Sequence, residues 1–416
     1  MTEDKRRLTL DPKLIPLPLQ DLIRFIADKS EGMGTPCYLV GGLVRDLMLG
    51  RAVNDFDVVV EGNAIKLGKA LVRELGGKLT THSAFATATW YLPAPTDGLS
   101  LLDLISARSE TYAYPGALPS VKLSTIENDL RRRDFTINAM ALRLDREHAG
   151  EVLDPLDGRN DLKRGLVRVL HDRSFIDDPT RMLRAVRYEK RYDFQIESKT
   201  LSLFNADAHA VMSQLSGERL RHEFDLMFRE DNFISMLARS AELGLLKAIH
   251  PSLSWSEEIE ERFSRLQEAF VSENILWGTW LMDLPEADIR SLGKRLHFTA
   301  DVLKVALAAS AIAREITSIS DMKPSQCVEQ LDKMPDEAVS AVAMSTAYGK
   351  PRVMLESYMS RWKDMKPTIT GDDLKARGIP PGPKYKEVLA RLRAAWVDGE
   401  VKSVAEEAKL LEDLLR

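Results

Sequence analysis

YLVGGLVRDLMLGRAVNDFDVVVEG, residues Tyr38 to Gly62, places an apolar strand, a double-glycine turn, a helix carrying Arg45 and Asp46, and two alternating aspartates within one short span. Tyr38, Leu39 and Val40 read as a buried strand, and Gly41-Gly42 turns the chain with no Cβ to keep a ligand from the backbone. Leu43 to Leu49 has helical spacing, so its first amides face the turn and favour a phosphate there, with the Arg45 guanidinium close by. Asn54-Asp55-Phe56-Asp57 then runs into Val58-Val59-Val60, and strand periodicity sets Asp55 and Asp57 on one face. Two carboxylates on one face can hold divalent cations. Mg²⁺ prefers a few carboxylate oxygens together with substrate phosphate, so this span describes metal-assisted phosphoryl or nucleotidyl transfer. Paired glycines alone are usually a turn and a lone D-x-D is usually a solvated strand end; their order and proximity select the chemical reading.

The rest of the composition is that of a globular intracellular enzyme. The 416 residues, 44% hydrophobic and 29% charged, supply core enough for several domains. Cys37 and Cys327 are too few and too far apart for a disulfide framework or a zinc site. The N-terminus MTEDKRRLTLDP lacks an apolar signal segment and no later stretch suits a bilayer span, so a cytoplasmic location is expected. A formal charge of −5 argues against wholesale polyanion binding and confines nucleic-acid contact to local basic surfaces.

Two such surfaces stand out. Arg131-Arg132-Arg133 precede Asp134-Phe135-Thr136-Ile137-Asn138, and Arg181, Arg184 and Arg187 recur every third residue along one side of a helix. That helix opens with Asp177-Asp178-Pro179-Thr180-Arg181, a start in which Asp177 is expected to cap and Asp178 to face outward. Asp178 and Arg181, three apart, offer an acceptor beside a forked donor. Cytosine and adenine show an amino donor next to a ring-nitrogen acceptor, whereas uracil and guanine place a carbonyl at the amino position. Such a pair accepts C and A and rejects U and G, because a mismatch leaves buried polar groups unpaired.

These motifs, in this order, resemble the class II tRNA nucleotidyltransferase and bacterial poly(A) polymerase family. VGGLVRD with DFD is similar to its first motif, RRRDFTINAMAL to the second, DPLDGRNDL to the third, DDPTRMLRAVRY to the fourth and SGERLRHEF (Ser216 to Phe224) to the fifth. Asp177 stands where many relatives have glutamate. The resemblance implies that Asp55 and Asp57 carry Mg²⁺, with Asp103 in LLDLISARSETY a further carboxylate beside them. It implies that Gly41, Gly42 and Arg45 form the triphosphate turn, and that Arg133, Asp134 and Asn138 hold ribose and phosphates. Asp178 and Arg181 would act as a protein template for the incoming base, backed by Arg184 and Arg187, and Asp154 to Gly158 as a springy connection behind the head.

The expected fold is an α/β head, a nucleotidyltransferase palm of mixed sheet and helices, followed by helical domains: head 1–157, neck 158–232, body 233–350 and a tRNA-contacting tail 351–416. Within the head, Ala64 to Leu75 reads helical, and Gly77 to His82, Thr87 to Leu92 and Leu101 to Ile105 read as strands. Beyond Leu162, Thr200 to Ala210, Ser216 to Phe228, Phe233 to Leu243, Ser256 to Phe270, Ala300 to Glu315 and Pro324 to Leu331 have helical periodicity. The Gly/Pro-rich segment from Ile369 to Lys386 resembles the tail element of tRNA nucleotidyltransferases more than that of poly(A) polymerases.

The expected activity is template-independent addition of CCA, or of the terminal A alone, to the tRNA acceptor arm from ATP and CTP. A primer 3′-hydroxyl attacks the α-phosphate and pyrophosphate leaves, a reaction in which the protein positions and neutralises. Both outcomes use the same base-reading pair, with the switch expected in head flexibility and in Tyr112 to Asp129. A poly(A) polymerase would use the same site. A small-molecule nucleotidyltransferase would not need the base reader or the long helical body, and a decayed RNA-binding relative would not keep Asp55, Asp57 and Asp103.

Overall fold

The structure is a computed structural model that describes residues 7–53, 56–111, 113–117, 120–145, 147–266 and 271–416. The chain forms two compact units, Met1–Leu215 and Ser216–Arg416, so the division falls inside the segment read as a neck.

In the first unit, helix α1 (Leu17–Gly32) precedes strand β1 (Cys37–Val40), helix α2 (Gly42–Met48), strand β2 (Asp57–Val60) and helix α3 (Ala64–Leu75). Strands β3 (Lys78–His82), β4 (Thr87–Thr96) and β5 (Leu99–Ser106) follow, and β6 (Arg108–Thr111) and β7 (Ser120–Leu123) pair as a separate antiparallel ribbon. Helix α4 (Ile126–Arg131) leads to β8 (Ala141–Arg143) and β9 (Val152–Leu153). The main sheet has seven strands in the order β3-β4-β5-β2-β1-β8-β9, with β2 at its centre. β2 runs antiparallel to β1 and parallel to β5.

Sequence dictates these elements locally. Every residue of β1 is buried, as are Val58, Val59 and Val60 of β2, which is the unbroken apolar pattern of strands covered on both faces. In α3 the Asn63 side chain accepts from the Lys66 amide as an N-cap, and the buried Ala64, Leu67, Gly68 and Leu71 make one stripe. Gly68 lets that helix lie close to the sheet: a Cβ there would meet Leu79 Cδ1 at 2.7 Å. On the sheet, Tyr38, Val40, Val59, Ala139 and Ala141 form a core with Ile126 and Leu130 of α4. β4 and β5 are longer than periodicity predicts because they continue as a hairpin through the turn at Asp97-Gly98.

Helices α5 (Gly158–Arg164), α6 (Ser174–Asp177) and α7 (Thr180–Tyr192) follow, interrupted by two-residue strands β10 (Leu166–Val167) and β11 (Gln195–Ile196) that pair in parallel. Period-based reading misses these strands because two residues carry no period. The stretch Thr200 to Ala210, expected as one helix, is two, Ser198–Ser202 and Ala206–Gln214, because the Asn205 side chain accepts from the Ala208 amide and starts a new helix.

The second unit is built of helices. Phe224 sets its edge against Trp277 and Trp280, which stack at 5.4 Å, and Phe228, Phe233 and Phe263 extend the same aromatic cluster. Gly217 of the SGER segment packs where a Cβ would lie 1.9 Å from the Arg295 carbonyl oxygen, so this glycine is fixed by contact. A second core joins Ala309, Ile312, Val328, Leu331, Val339, Val342 and Leu355. The C-terminal segment folds as the helices Gly371–Ala376, Pro383–Val397 and Val404–Leu415, and Leu411 of the last packs with Leu374, Val388 and Leu392. Among the described residues, no helix is long and apolar enough to cross a membrane.

Candidate active site

The glycine turn after β1 is shaped by two arginines. Gly41 has φ +66° and ψ −126°, a conformation that L side chains rarely adopt, and a Cβ there would lie 2.5 Å from Arg133 Nη1. At Gly42 a Cβ would lie 3.2 Å from Arg45 Nη2. Each glycine therefore makes room for one guanidinium, which brings Arg45 and Arg133 to the same turn although 88 positions separate them in the chain. The Gly41 amide donates to the Met140 carbonyl at 3.1 Å and closes the turn onto the segment following Asn138.

Carboxylates flank this turn. Leu39 pairs with Val58, so the end of β1 and the turn after it lie next to Asp57 at the start of β2. On the other side of β2, Asp57 and Asp103 are direct partners in the parallel register with β5. Thr89 Oγ1 donates to Asp103 Oδ1 at 2.6 Å and orients that carboxylate from β4. Asp55, the other expected metal ligand, lies outside the described residues.

Asp134 and Asn138 sit at the hub of a buried network. Asn138 Nδ2 and the Phe135 amide donate to Asp134 Oδ1 at 3.0 and 2.9 Å, and Arg184 Nε and Nη2 donate to Asp134 Oδ2 at 2.9 and 2.6 Å. Burial alone would raise the Asp134 carboxyl, but the Arg184 guanidinium and the Asn138 amide hold it well below the usual carboxylate range. Asn138 Oδ1 in turn accepts from Arg45 Nη1. Arg45 grips Asp46 through Nε and Nη2, both at 3.0 Å, and lies over the rings of Tyr192 and Tyr188 at 4.6 and 5.2 Å. Tyr192 Oη donates to Asp46 Oδ1 at 3.0 Å. Residues from the glycine turn, the RRRDFTIN segment and α7 thus form one continuous polar assembly. Arg184, read from sequence as a backing charge, is the ion-pair partner of Asp134.

At the start of α7, Asp178 Oδ1 accepts from the Thr180 amide at 3.1 Å and from Thr180 Oγ1 at 2.7 Å. The side chain that engages the helix start is therefore Asp178, whereas Asp177, expected as the cap, ends α6 and pairs with Arg173 at 3.7 Å. The intervening Pro179 explains the shift, since it has no backbone N–H and the next donor in reach of a preceding carboxylate is Thr180. Arg181 is buried; its Nη1 donates to Ser174 Oγ at 2.7 Å and its Nη2 to the Arg132 carbonyl at 3.0 Å. Arg187 lies buried on the same helix, its guanidinium 5.7 Å from the Tyr188 ring centroid.

Sequence reasoning missed Asp129. It is fully buried and accepts from Arg132 Nε and Nη2 at 2.9 and 2.7 Å and from Arg133 Nη2 at 3.1 Å, so one carboxylate aims both arginines. Glu110 on β6 accepts from Arg108 and Arg132 and ties the β6–β7 ribbon to the same cluster. The spacing of Asp129 three and four residues before the two arginines that follow the end of α4 was the available signal.

The segment expected to be springy is closely packed in this structure. Asp154 accepts from the Gly158 and Arg159 amides at 2.7 and 3.0 Å and caps α5, and a Cβ on Gly158 would lie 2.2 Å from the Thr136 carbonyl oxygen. Asp161, also buried, accepts from Thr136 Oγ1 at 2.7 Å and from Arg168 Nε at 2.9 Å, so α5 is fastened to the segment that carries Asp134 and Asn138.

Residues 37–168 match the poly A polymerase head domain model, and residues 193–256 match the model described as a probable RNA and SrmB-binding site of polymerase A. The chain is 33% identical over 387 residues to an A-adding tRNA nucleotidyltransferase of Halalkalibacterium halodurans, covering 92% of this chain and 89% of that protein. It is 32% identical to the CC-adding tRNA nucleotidyltransferase of Deinococcus radiodurans, covering 93% and 91%. It is 32% identical to an A-adding enzyme of Geobacter sulfurreducens and spans 47% of that longer protein. Among solved structures, a CCA-adding enzyme in an apo form matches with a TM-score of 0.83 and 30% identity over 99% of this chain and 97% of that one. The Thermotoga maritima CCA-adding enzyme complexed with tRNA matches at 0.78 and 29% over 98% and 97%.

Proposed function

Because the chain belongs to the tRNA nucleotidyltransferase and poly(A) polymerase family, we propose that it extends the 3′ end of tRNA without a nucleic-acid template, building CCA from CTP and ATP or adding the terminal A from ATP. The observation that carries this reading is that the Gly41-Gly42 turn makes room for Arg45 and Arg133, lies next to the end of β2 that carries the in-register Asp57–Asp103 pair, and is joined through the Arg132-Arg133 segment to Arg181 at the start of α7. Phosphate, reacting centre and base each find a complementary group there.

The reaction joins the primer 3′-oxygen to the α-phosphorus of the nucleotide and breaks the bond to the departing pyrophosphate. Arg45 and Arg133 neutralise triphosphate charge at a turn where the absence of Cβ atoms lets both guanidinium groups come close to the backbone. Asn138 and Asp134, held by Arg45 and Arg184, locate the ribose. Asp178 accepts from the amino group of C or A, and Arg181 donates to the neighbouring ring nitrogen. The in-register carboxylates Asp57 and Asp103 are hard oxygen donors of the kind that suits Mg²⁺, with Asp55 two residues before Asp57 as a third. Mg²⁺ bound there supplies acidification of the attacking hydroxyl and charge neutralisation for the leaving group. The free, buried thiols of Cys37 and Cys327 accord with work in the cytoplasm.

A second reading, processive poly(A) synthesis, uses the same site. Incubation with ATP and either a tRNA lacking its terminal A or an unstructured RNA of equal length separates the two. One-residue extension restricted to the tRNA is expected; long A tails on the unstructured RNA would favour the second reading.

A further inference from the structure

Arg181 has five N–H donors and no freedom to choose a base unless its plane is fixed. The Ser174 hydroxyl and the Arg132 carbonyl fix that plane. Ser174, fully buried, accepts from Arg181 Nη1 at 2.7 Å through Oγ, and its carbonyl accepts from the Asp178 amide at 3.1 Å. One residue therefore touches both members of the pair to which base selection is assigned. Thr180, also buried, does for the Asp178 carboxylate what Ser174 does for Arg181: Oγ1 and the amide of Thr180 both donate to Asp178 Oδ1. The Arg132 carbonyl completes the cradle by accepting from Arg181 Nη2.

We propose that the hydroxyls of Ser174 and Thr180 are positioning residues for base selection, holding the Arg181 guanidinium and the Asp178 carboxylate in the relative orientation that matches the amino and ring-nitrogen edge of C and A. The inference rests on the base-reading role given to Asp178 and Arg181 above. Neither hydroxyl contacts the nucleotide; each acts through its neighbour. Without the Ser174 hydroxyl the guanidinium keeps its charge and its Arg132 carbonyl contact but loses the second anchor that fixes its plane, and a turned guanidinium donates as well to a carbonyl as to a ring nitrogen. Loss of the Thr180 hydroxyl removes the shorter of its two hydrogen bonds to Asp178 Oδ1 and leaves the amide contact, so the carboxylate is less firmly oriented. Selectivity then falls while attraction for the nucleotide persists, the opposite of a change that merely unfolds the site.

The test compares kcat/KM for ATP and for GTP on a tRNA ending in CC, using full-length protein carrying Ser174→Ala, Thr180→Val, Thr180→Ser or Arg181→Ala. The ATP-to-GTP ratio is expected to fall about tenfold in Ser174→Ala and in Thr180→Val, the size of one hydrogen bond to a charged group. KM for the tRNA stays at the wild-type value in both, and Thr180→Ser, which keeps the hydroxyl, keeps the wild-type ratio. A wild-type ratio in Ser174→Ala and Thr180→Val, with a collapsed ratio in Arg181→Ala, would overturn this inference alone. A wild-type ratio in Arg181→Ala would overturn the base-reading assignment and the inference with it. Two positions on different elements keep the outcome decisive if one variant fails to fold.

Discussion

Asp57 and Asp103 are direct register partners on neighbouring parallel strands, although 46 positions separate them in the chain. The parallel pairing of β2 with β5 forces this neighbourhood, and the all-valine continuation of β2 anchors it in the centre of the sheet. Side chains at one register level of adjacent strands point to the same face, so the two carboxylates are presented together.

If the carboxylates serve the reacting centre and basic groups hold the RNA, as proposed, replacing Asp57 or Asp103 with alanine should abolish nucleotide incorporation while leaving tRNA affinity near the wild-type value. Single-turnover incorporation and a filter-binding isotherm on the same preparations measure the two quantities. Equal loss of both would contradict the assignment.

Gly41→Ala should be harmful for two reasons that act together. Its backbone lies in a region that costs a residue with a Cβ on the order of 1–3 kcal/mol, and the added methyl would collide with Arg133 Nη1. The expected outcome is a lowered melting temperature and a raised KM for ATP. Gly50→Ala, at φ +67° but with nothing near its Cβ position, should lower the melting temperature without changing KM.

Asp129→Ala leaves Arg132 and Arg133 without their shared carboxylate. Breaking a buried ion pair from one side costs about 3–5 kcal/mol, and here two arginines lose the same partner. Urea titration should show a lower midpoint with unchanged slope, and surviving folded enzyme should have a raised KM for ATP because Arg133 no longer sits at the glycine turn.

Acid stability should depend on Asp134. Its carboxyl titrates below the ordinary aspartate value, so its ionised form stabilises the fold fully above an unfolded pKa of about 3.9, and that contribution is lost as pH falls toward the lower folded value. Asp134→Asn should be less stable than wild type at neutral pH, with the gap narrowing below about pH 4. A constant gap from pH 7 to pH 3 would show that the ion pair with Arg184 carries none of it.

Much of the secondary structure was legible because its signals are local. Helix α3 and the helix Pro324–Leu331 fall where periodicity places them, and α2 lies within one residue of its expected bounds. The roles of individual polar residues were less legible, because they depend on partners distant in sequence. Nothing near Arg184 announces Asp134, 50 positions away, and nothing near Ser174 announces that its hydroxyl meets Arg181 across the bend between α6 and α7. The exchange of capping duty from Asp177 to Asp178 follows from Pro179, a local cue whose consequence depends on the geometry of the bend. Gly41 and Gly42 were readable as a turn, while the arginines that require them to be glycine came into view only in three dimensions.

The most direct test of the whole account is to incubate the protein and Mg²⁺ with tRNA transcripts ending before CCA, after C and after CC, each with labelled CTP or labelled ATP. The account predicts that ATP extends the transcript ending in CC by one residue, with CTP incorporated on the shorter transcripts if the enzyme builds the whole CCA end. Failure of every transcript to accept either nucleotide would contradict it.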